Sequence, residues 1–328
     1  MKSKNATFIY ICTTLIAVFT VFITSLLIGK FPITPASLLA GDTMAVRVFL
    51  NLRLPRCLMA LFGGFGLGVS GFVYQTVFRN PLASPDIAGV SSGACVGAAF
   101  GILFISSTMF SVTICAFVGG LSAMALTLAL SMLASGQNKT SIVLSGIAIH
   151  SLAQTVLMML KLMADPEKQL ASIEYWIMGS FSSTTLEKIP MSIFLICIGS
   201  LLLFLLHRQL MLLSVEDAEA KMLGISVGRL QILVLITATF IVAAVISVSG
   251  LISFVGLLAP HIARLLLNHN RPSAMMLSGL VGSILLLLSD IFAKSIASTE
   301  LPISIFTSLI GAPFYIYLIV SRKRGVLR

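Results

Sequence analysis

Charged side chains are scarce in this chain of 328 residues: only 10% are Asp, Glu, Lys or Arg, while 58% are hydrophobic. Soluble domains carry roughly 25% charged residues, so this composition cannot cover a water-exposed surface, and the mean hydropathy of +1.07 agrees. The shortage excludes a soluble enzyme and a nucleic-acid-binding protein, although the net charge of +10 alone would suggest the latter. High hydrophobicity excludes a disordered chain. A polytopic membrane protein remains.

Motifs for catalysis and metal binding are also missing. The sequence contains no HExxH, no CxxC and no GxxxxGK[ST] phosphate loop. All five cysteines fall inside apolar runs, where they are expected to be packing residues. We therefore expect no catalytic residue, no metal ligand and no cofactor in this chain, and a conduit is favoured over a catalyst.

Runs without charge predict the membrane spans. Eight runs contain 18 or more uncharged residues: 5–29, 57–78, 87–138, 140–160, 189–206, 230–263, 272–289 and 301–321. One crossing needs about 20 apolar residues, so run 87–138 should hold two helices, with a turn at 106–108. Run 230–263 should hold one full span to about Val248, a break, and a short helix starting near Pro260. An all-α membrane protein with about ten transmembrane helices follows, and the first run is too long for the core of a signal peptide.

The distribution of basic residues predicts the orientation. With the N-terminus in the cytosol and alternating spans, cytosolic segments hold 13 Lys and Arg against four acids, one of them Asp86, and outer segments hold eight against seven. Cytosolic loops carry the excess of Lys and Arg. Both termini are therefore predicted to be cytosolic.

One predicted helix carries a glycine at every fourth position: Gly89, Gly93, Gly97 and Gly101. Such a stripe lets another helix approach closely. We interpret it as a helix-packing surface; the alternative is that some glycines leave room for a pathway.

Ionisable residues within the spans are few. Asp290 and Lys294 are four residues apart, which is typical of an ion pair along a helix. His150 could be a hydrogen-bonded neutral histidine or part of a proton relay. This scarcity counts against ion-coupled secondary transport.

Two polar segments are unlike ordinary inter-span loops. The sequence of the cytosolic segment 207–229 predicts a short helix, a turn at Gly224 and a new helix. This segment could insert into a groove of a partner. The alternative is that it is only a solvated connector between spans. The outer segment 30–56 ends with Arg53 and Arg56 around a proline. These arginines could bind carboxylates or lie at the membrane interface.

The segment 53–94, RLPRCLMALFGGFGLGVSGFVYQTVFRNPLASPDIAGVSSGA, resembles the signature region of the FecCD-type permeases. The resemblance continues through 223–231, 250–266, 289–294 and 300–319, so it covers nearly the whole chain in order. These permeases are membrane subunits of binding-protein-dependent ABC importers for ferric siderophores, haem and cobalamin. The resemblance implies one permease domain, 1–328, with the type II importer fold, in a bacterial cell membrane.

The resemblance also implies the partners: a second permease of the same or a related chain, two cytosolic ATPases that bind ATP and Mg, and an outer substrate-binding protein. The segment 212–227 would couple to the ATPases, through contacts of Glu216, Asp217, Ala220, Leu223, Gly224 and Arg229. The segment 172–183 would line the outer gate.

Further roles follow from the resemblance. Arg53, Arg56 and Lys294 match positions that meet acidic side chains of the binding protein, although relatives often carry Arg in place of Lys294. Asn80, Leu82, Thr140 and Ser141 match positions that close the cytosolic end of the pathway.

The function expected is import of a ferric siderophore by ATP-driven alternating access. Haem, cobalamin, oxyanions or another metal chelate are alternative cargoes. An ATP-independent secondary transporter is the alternative from a different class.

Overall fold

The computed structural model describes residues 2–32, 36, 41–105, 108–134, 139–187, 189–214, 226–267, 272–296 and 299–323. Within these ranges the chain forms helices and turns and no strand. The helices are α1 Lys2–Leu27, α2 Thr43–Phe78, α3 Val90–Ile105, α4 Met109–Leu133, α5 Lys139–Met163, α6 Gln169–Met178, α7 Ile189–Leu205, α8 His207–Leu212, α9 Val227–Ser249, α10 Val255–Leu267, α11 Pro272–Ser295 and α12 Ile303–Lys323.

Ten of these helices are apolar. Six are long enough to cross a membrane by length and composition, namely α1, α2, α4, α5, α9 and α11. The other four, α3, α7, α10 and α12, are shorter and equally apolar. The prediction of an all-α polytopic membrane protein is confirmed, with six helices of spanning length and four shorter apolar helices where about ten spans were predicted. The outer and cytosolic sides of the bundle are those that the charge distribution predicts.

The two long uncharged runs are divided as follows. The first is interrupted where the turn was predicted, since α3 ends at Ile105 and α4 begins after Thr108. In the second run the prediction that the short helix starts near Pro260 was wrong, because α10 begins at Val255 and includes the proline. Pro260 has no N–H for the carbonyl of Gly256. That carbonyl lies instead against Gly71 of α2, where an added Cβ would be 1.8 Å from it.

Helix α2 is the centre of the bundle, because it packs against α9, α10 and α11. Its glycines allow the closest contacts. A Cβ at Gly64 would stand 2.4 Å from the carbonyl oxygen of Gly282, and a Cβ at Gly68 would stand 2.1 Å from that of Ser278. Small residues on both sides therefore bring the backbones of α2 and α11 together.

The predicted glycine stripe lies mainly between α3 and α4. A Cβ at Gly97 would be 2.0 Å from the carbonyl oxygen of Cys115, and one at Gly93 would be 2.6 Å from that of Gly119. The contact at Gly101 is looser, because a Cβ there would stand 3.2 Å from the Cβ of Cys115. Gly89 faces α5 instead. At Gly93 and Gly97 the position of an added Cβ is already occupied by α4, which agrees with a helix-packing surface.

Candidate functional site

A network of buried charges joins α2 to α11 near the outer end. The Arg56 Nε donates to Asp290 Oδ1 at 2.5 Å, and its Nη1 donates to Glu300 Oε2 at 2.7 Å. Asp290 also pairs with Lys294, whose Nζ lies 3.1 Å from Oδ2. The Lys294 Nζ then donates to the backbone and side-chain oxygens of Ser25 in α1, at 2.7 and 2.9 Å. The predicted Asp290–Lys294 pair is confirmed, but it is part of a larger network.

Arg53 connects the same end of α2 to α1. Its Nη1 donates to the carbonyls of Leu26 and Leu27 at 2.9 and 2.8 Å, and its Nη2 donates to that of Phe31. These are terminal carbonyls of α1 and the turn after it, which a helix cannot satisfy by itself. A cation is favourable at this end of a helix dipole. Arg53 therefore fastens α1 to the bundle.

A π-helical turn places these arginines. Residues Phe49–Arg53 form π-type hydrogen bonds, and the N–H of Leu54 bonds to the carbonyl of Phe49. Pro55 follows and has no N–H to continue the regular ladder. The wider turn before the proline is where α2 changes from its outer segment to its buried one.

The predicted docking cations are therefore not free side chains on the outer surface. Arg53, Arg56 and Lys294 are exposed by only 7%, 7% and 6%, and each bonds to partners within the chain. They line the base of an outer cavity of about 220 Å³, which Lys30 and Glu300 also border. Any role in docking has to involve this cavity.

The outer helix is shorter than the segment predicted to line the gate. Helix α6 spans Gln169–Met178 and ends at Gly179, and 180–187 continue as turns. Its end is bound to the break between α9 and α10: the N–H of Ser180 donates to the carbonyl of Ser249 at 2.7 Å. The N–H of Ile303 donates to the carbonyl of Gly179 at 2.9 Å. Backbone contacts thus connect α6 to both α9 and α12.

Two glycines make this junction possible. Gly179 and Gly250 both have a φ near +70°, at +71° and +70°. A Cβ added at Gly179 would stand 2.2 Å from the carbonyl oxygen of Leu251, and one added at Gly250 would stand 2.1 Å from the carbonyl oxygen of Trp176. Both the left-handed backbone and the close approach require glycine.

A cavity of about 500 Å³ lies beside α6. Its walls combine apolar side chains with hydroxyls, including Tyr175, Trp176, Ser180 and Ser249. The Tyr175 hydroxyl lies 2.8 Å from that of Ser182, so the aromatic ring is held over the serine turn. This cavity is an outer vestibule with no fixed charge among its lining residues.

The turn after α2 carries the first pair of residues predicted to form the cytosolic gate. Asn80 Oδ1 accepts from the N–H of Leu82 at 2.9 Å, and Leu82 is exposed. Arg79 ends α2 with a φ of +48°, and its Nε donates to the carbonyl of Leu213 at 3.0 Å. Leu213 is buried just after α8. This bond connects the turn after α2 to the start of the segment 212–227, which was predicted to couple to the ATPases.

The second pair of gate residues is on α5. Thr140 is exposed and Ser141 is half-buried, both in the first turn of that helix. Of the coupling residues, Arg229 is exposed in the first turn of α9. Glu216, Asp217, Ala220, Leu223 and Gly224 lie outside the described residues.

Asp86, counted as a cytosolic acid, is half-buried in the turn between α2 and α3. Together with Leu67, Val242 and Ile246 it lines a small cavity of about 20 Å³. Burial raises the pKa of the Asp86 carboxyl, while the hydrogen bond from Ser91 and the nearby His150 oppose that rise.

Within the ranges that the structure describes, no group of three or more His, Cys, Asp or Glu side chains is placed to hold a metal ion. His150 is half-buried, and its Nδ1 has no hydrogen-bond partner among the described residues.

Comparison with known proteins places these features in a family. The FecCD transport family matches residues 15–321. The molybdate import system permease protein MolB of Haemophilus influenzae is 36% identical over 300 residues, or 91% of this chain and 88% of that protein. A probable iron chelatin transport system permease of Helicobacter pylori is 38% identical over 279 residues, or 85% and 84%. The hemin transport system permease protein HmuU of Yersinia pestis is 34% identical over 282 residues, or 84% of each.

Solved structures agree. A metal-chelate type ABC transporter in an inward-facing conformation aligns with a TM-score of 0.88 and 33% identity, covering 95% of this chain and 98% of that one. PsaBC from Streptococcus pneumoniae aligns with a TM-score of 0.54 and 16% identity, covering 80% and 90%, which shows a shared fold alone.

Proposed function

This chain belongs to the FecCD transport family and is a permease of the ABC importer type, and we propose that it carries ferric siderophores across a bacterial cell membrane. The observation that supports this most is the match to permeases along nearly the whole chain, with the ten apolar helices that a multi-pass conduit needs. Among the relatives, the iron chelatin permease favours a ferric chelate as cargo.

The proposed mechanism is alternating access driven by two separate ATPase subunits, which bind ATP and Mg. A second permease completes the pathway. ATP binding moves the coupling segment 212–227, and the bond from Arg79 to Leu213 carries that movement to the turn with Asn80 and Leu82. The junction of α6 with the α9–α10 break passes movement to the outer vestibule. The energy comes from the ATPases, and this chain converts it into motion.

Substrate enters from an outer binding protein that docks over the cavity at Arg56. The vestibule beside α6 has hydroxyl and aromatic walls, which suit a bulky chelate held loosely. Tight binding within the pathway is unnecessary, because the binding protein selects the cargo.

The cargo is tested by transport competition. Complexes in proteoliposomes should take up a radiolabelled ferric siderophore, and unlabelled ferric siderophore should compete. Haem, cobalamin and molybdate should compete weakly. Molybdate is the second candidate, because MolB is a similar relative. Uptake of molybdate without uptake of any ferric chelate would contradict the proposed cargo.

The coupling role is tested by Gly224→Pro, which should abolish ATP-driven uptake because proline would disrupt the turn that we expect there. Gly228→Pro is the matched control, since residue 228 lies in the first turn of α9, where proline is tolerated. Normal uptake by Gly224→Pro would favour an ATP-independent secondary transporter.

A further inference from the structure

We infer that Glu300 is an internal competitor for the docking site: its carboxylate occupies Arg56 until a carboxylate of the binding protein displaces it. The inference rests on the proposed docking function and adds a specific exchange to it. Arg56 is the cation whose carboxylate partner is exchanged, while Arg53 and Lys294 stay bonded within the chain.

The three cations differ in how many of their N–H donors have a hydrogen-bond acceptor within the chain. Arg53 donates to three backbone carbonyls, and Lys294 donates to Ser25 and pairs with Asp290. The Arg56 Nε is taken by Asp290 and Nη1 by Glu300. Its Nη2 is enclosed and has no hydrogen-bond partner among the described residues. One donor of Arg56 is therefore available, at a buried position where leaving it unpaired is costly.

The geometry of the Arg56–Glu300 contact explains how an exchange would gain free energy. A guanidinium binds a carboxylate most strongly through two parallel N–H···O bonds. Glu300 is bonded to Nη1 alone. A carboxylate that bonded Nη1 and Nη2 together would replace one contact with two. It would also satisfy the unpaired donor.

The two acidic partners of Arg56 are unequally exposed. Asp290 is completely buried, whereas the Glu300 side chain retains 33% of its exposure. Glu300 lies in the outer turn before α12, at the border of the cavity of about 220 Å³. Asp290 is thus the fixed partner that orients Arg56. Glu300 is the partner that can move out towards water.

The surrounding charge favours an acidic visitor. Lys30, Arg53, Arg56 and Lys294 line the cavity, and Glu300 is the single acid among its lining residues. When Glu300 withdraws, the cavity keeps four basic side chains over the buried Asp290. An entering Asp or Glu side chain would replace the negative charge that Glu300 had supplied to the cavity.

The experiment measures affinity for the binding protein in the assembled transporter. The probe is the substrate-binding protein that co-purifies with the wild-type complex in mild detergent, immobilised and titrated with complexes in nanodiscs. Glu300→Gln should bind roughly five- to tenfold more tightly, because a neutral amide competes less than a carboxylate for Arg56. A tenfold change in affinity corresponds to about 1.4 kcal/mol. Glutamine can still accept one hydrogen bond, so the turn should fold normally.

Glu187→Gln is the matched control, because it removes the same charge from an exposed outer residue. Equal tightening by both variants would indicate general electrostatics and would overturn the exchange. So would unchanged affinity of Glu300→Gln, or its failure to fold, which would make Glu300 a structural partner of Arg56. Absence of any co-purifying binding protein would instead overturn the proposed function, and the inference with it.

Discussion

Arg56 and Asp290 are 234 positions apart in sequence, yet their side chains meet at 2.5 Å between α2 and α11. Both are withdrawn from solvent, and Lys294 adds a second cation on the other oxygen of Asp290. One carboxylate thus holds two cations at the outer end of the bundle. Buried charges of this kind are stable only while each has its partner.

Asp290→Asn should therefore destabilise the fold strongly. Removing one partner of a buried ion pair typically costs about 3–5 kcal/mol, because the opposite charge is left uncompensated. The measurement is thermal unfolding of the purified chain in detergent. Asp165→Asn is the control, since Asp165 is exposed and asparagine can keep its bond from the N–H of Glu167. Equal unfolding temperatures for the two variants would show that the network contributes little.

Gly97→Ala should also lower the unfolding temperature, by forcing α3 away from α4. The added Cβ would stand 2.0 Å from a backbone carbonyl, which cannot move aside as a side chain can. Gly120→Ala, on the α4 side, is the control, because its nearest neighbour would be 3.4 Å away. If Gly97→Ala kept full stability and only slowed transport, the glycine would serve the pathway and not packing.

Gly250→Ala should loosen the junction between α6 and the α9–α10 break. The substitution combines an unfavourable positive φ with a contact of 2.1 Å to the carbonyl of Trp176. Amide hydrogen exchange should then become faster throughout 169–180. Gly41→Ala is the control, because Gly41 has a φ of +71° but nothing within 4 Å of an added Cβ. Slow exchange in both variants would mean that the junction does not depend on the close approach.

The fold followed from sequence because charge is costly in a membrane and its absence marks each span. The runs between charged residues correspond to the ten apolar helices, including the division at Thr108. The start of α10 was missed because proline usually marks a helix boundary. Here its missing N–H frees a carbonyl of Gly256 that approaches Gly71, a contact between residues far apart in sequence.

The site was predictable only in part. Spacing identified the Asp290–Lys294 pair, since residues four apart share a helix face. Nothing local to Arg53 or Arg56 shows that these side chains turn inward, because their partners come from α1, α11 and the turn before α12.

ATP-dependent uptake tests the central claim most directly. The permease would be purified with its co-purifying ATPase, reconstituted into proteoliposomes, and supplied outside with the binding protein and radiolabelled ferric siderophore. We expect accumulation inside only when ATP and Mg are enclosed where the ATPase can use them, and none with ADP. Accumulation without ATP, or a purified permease that never retains an ATPase, would contradict the account.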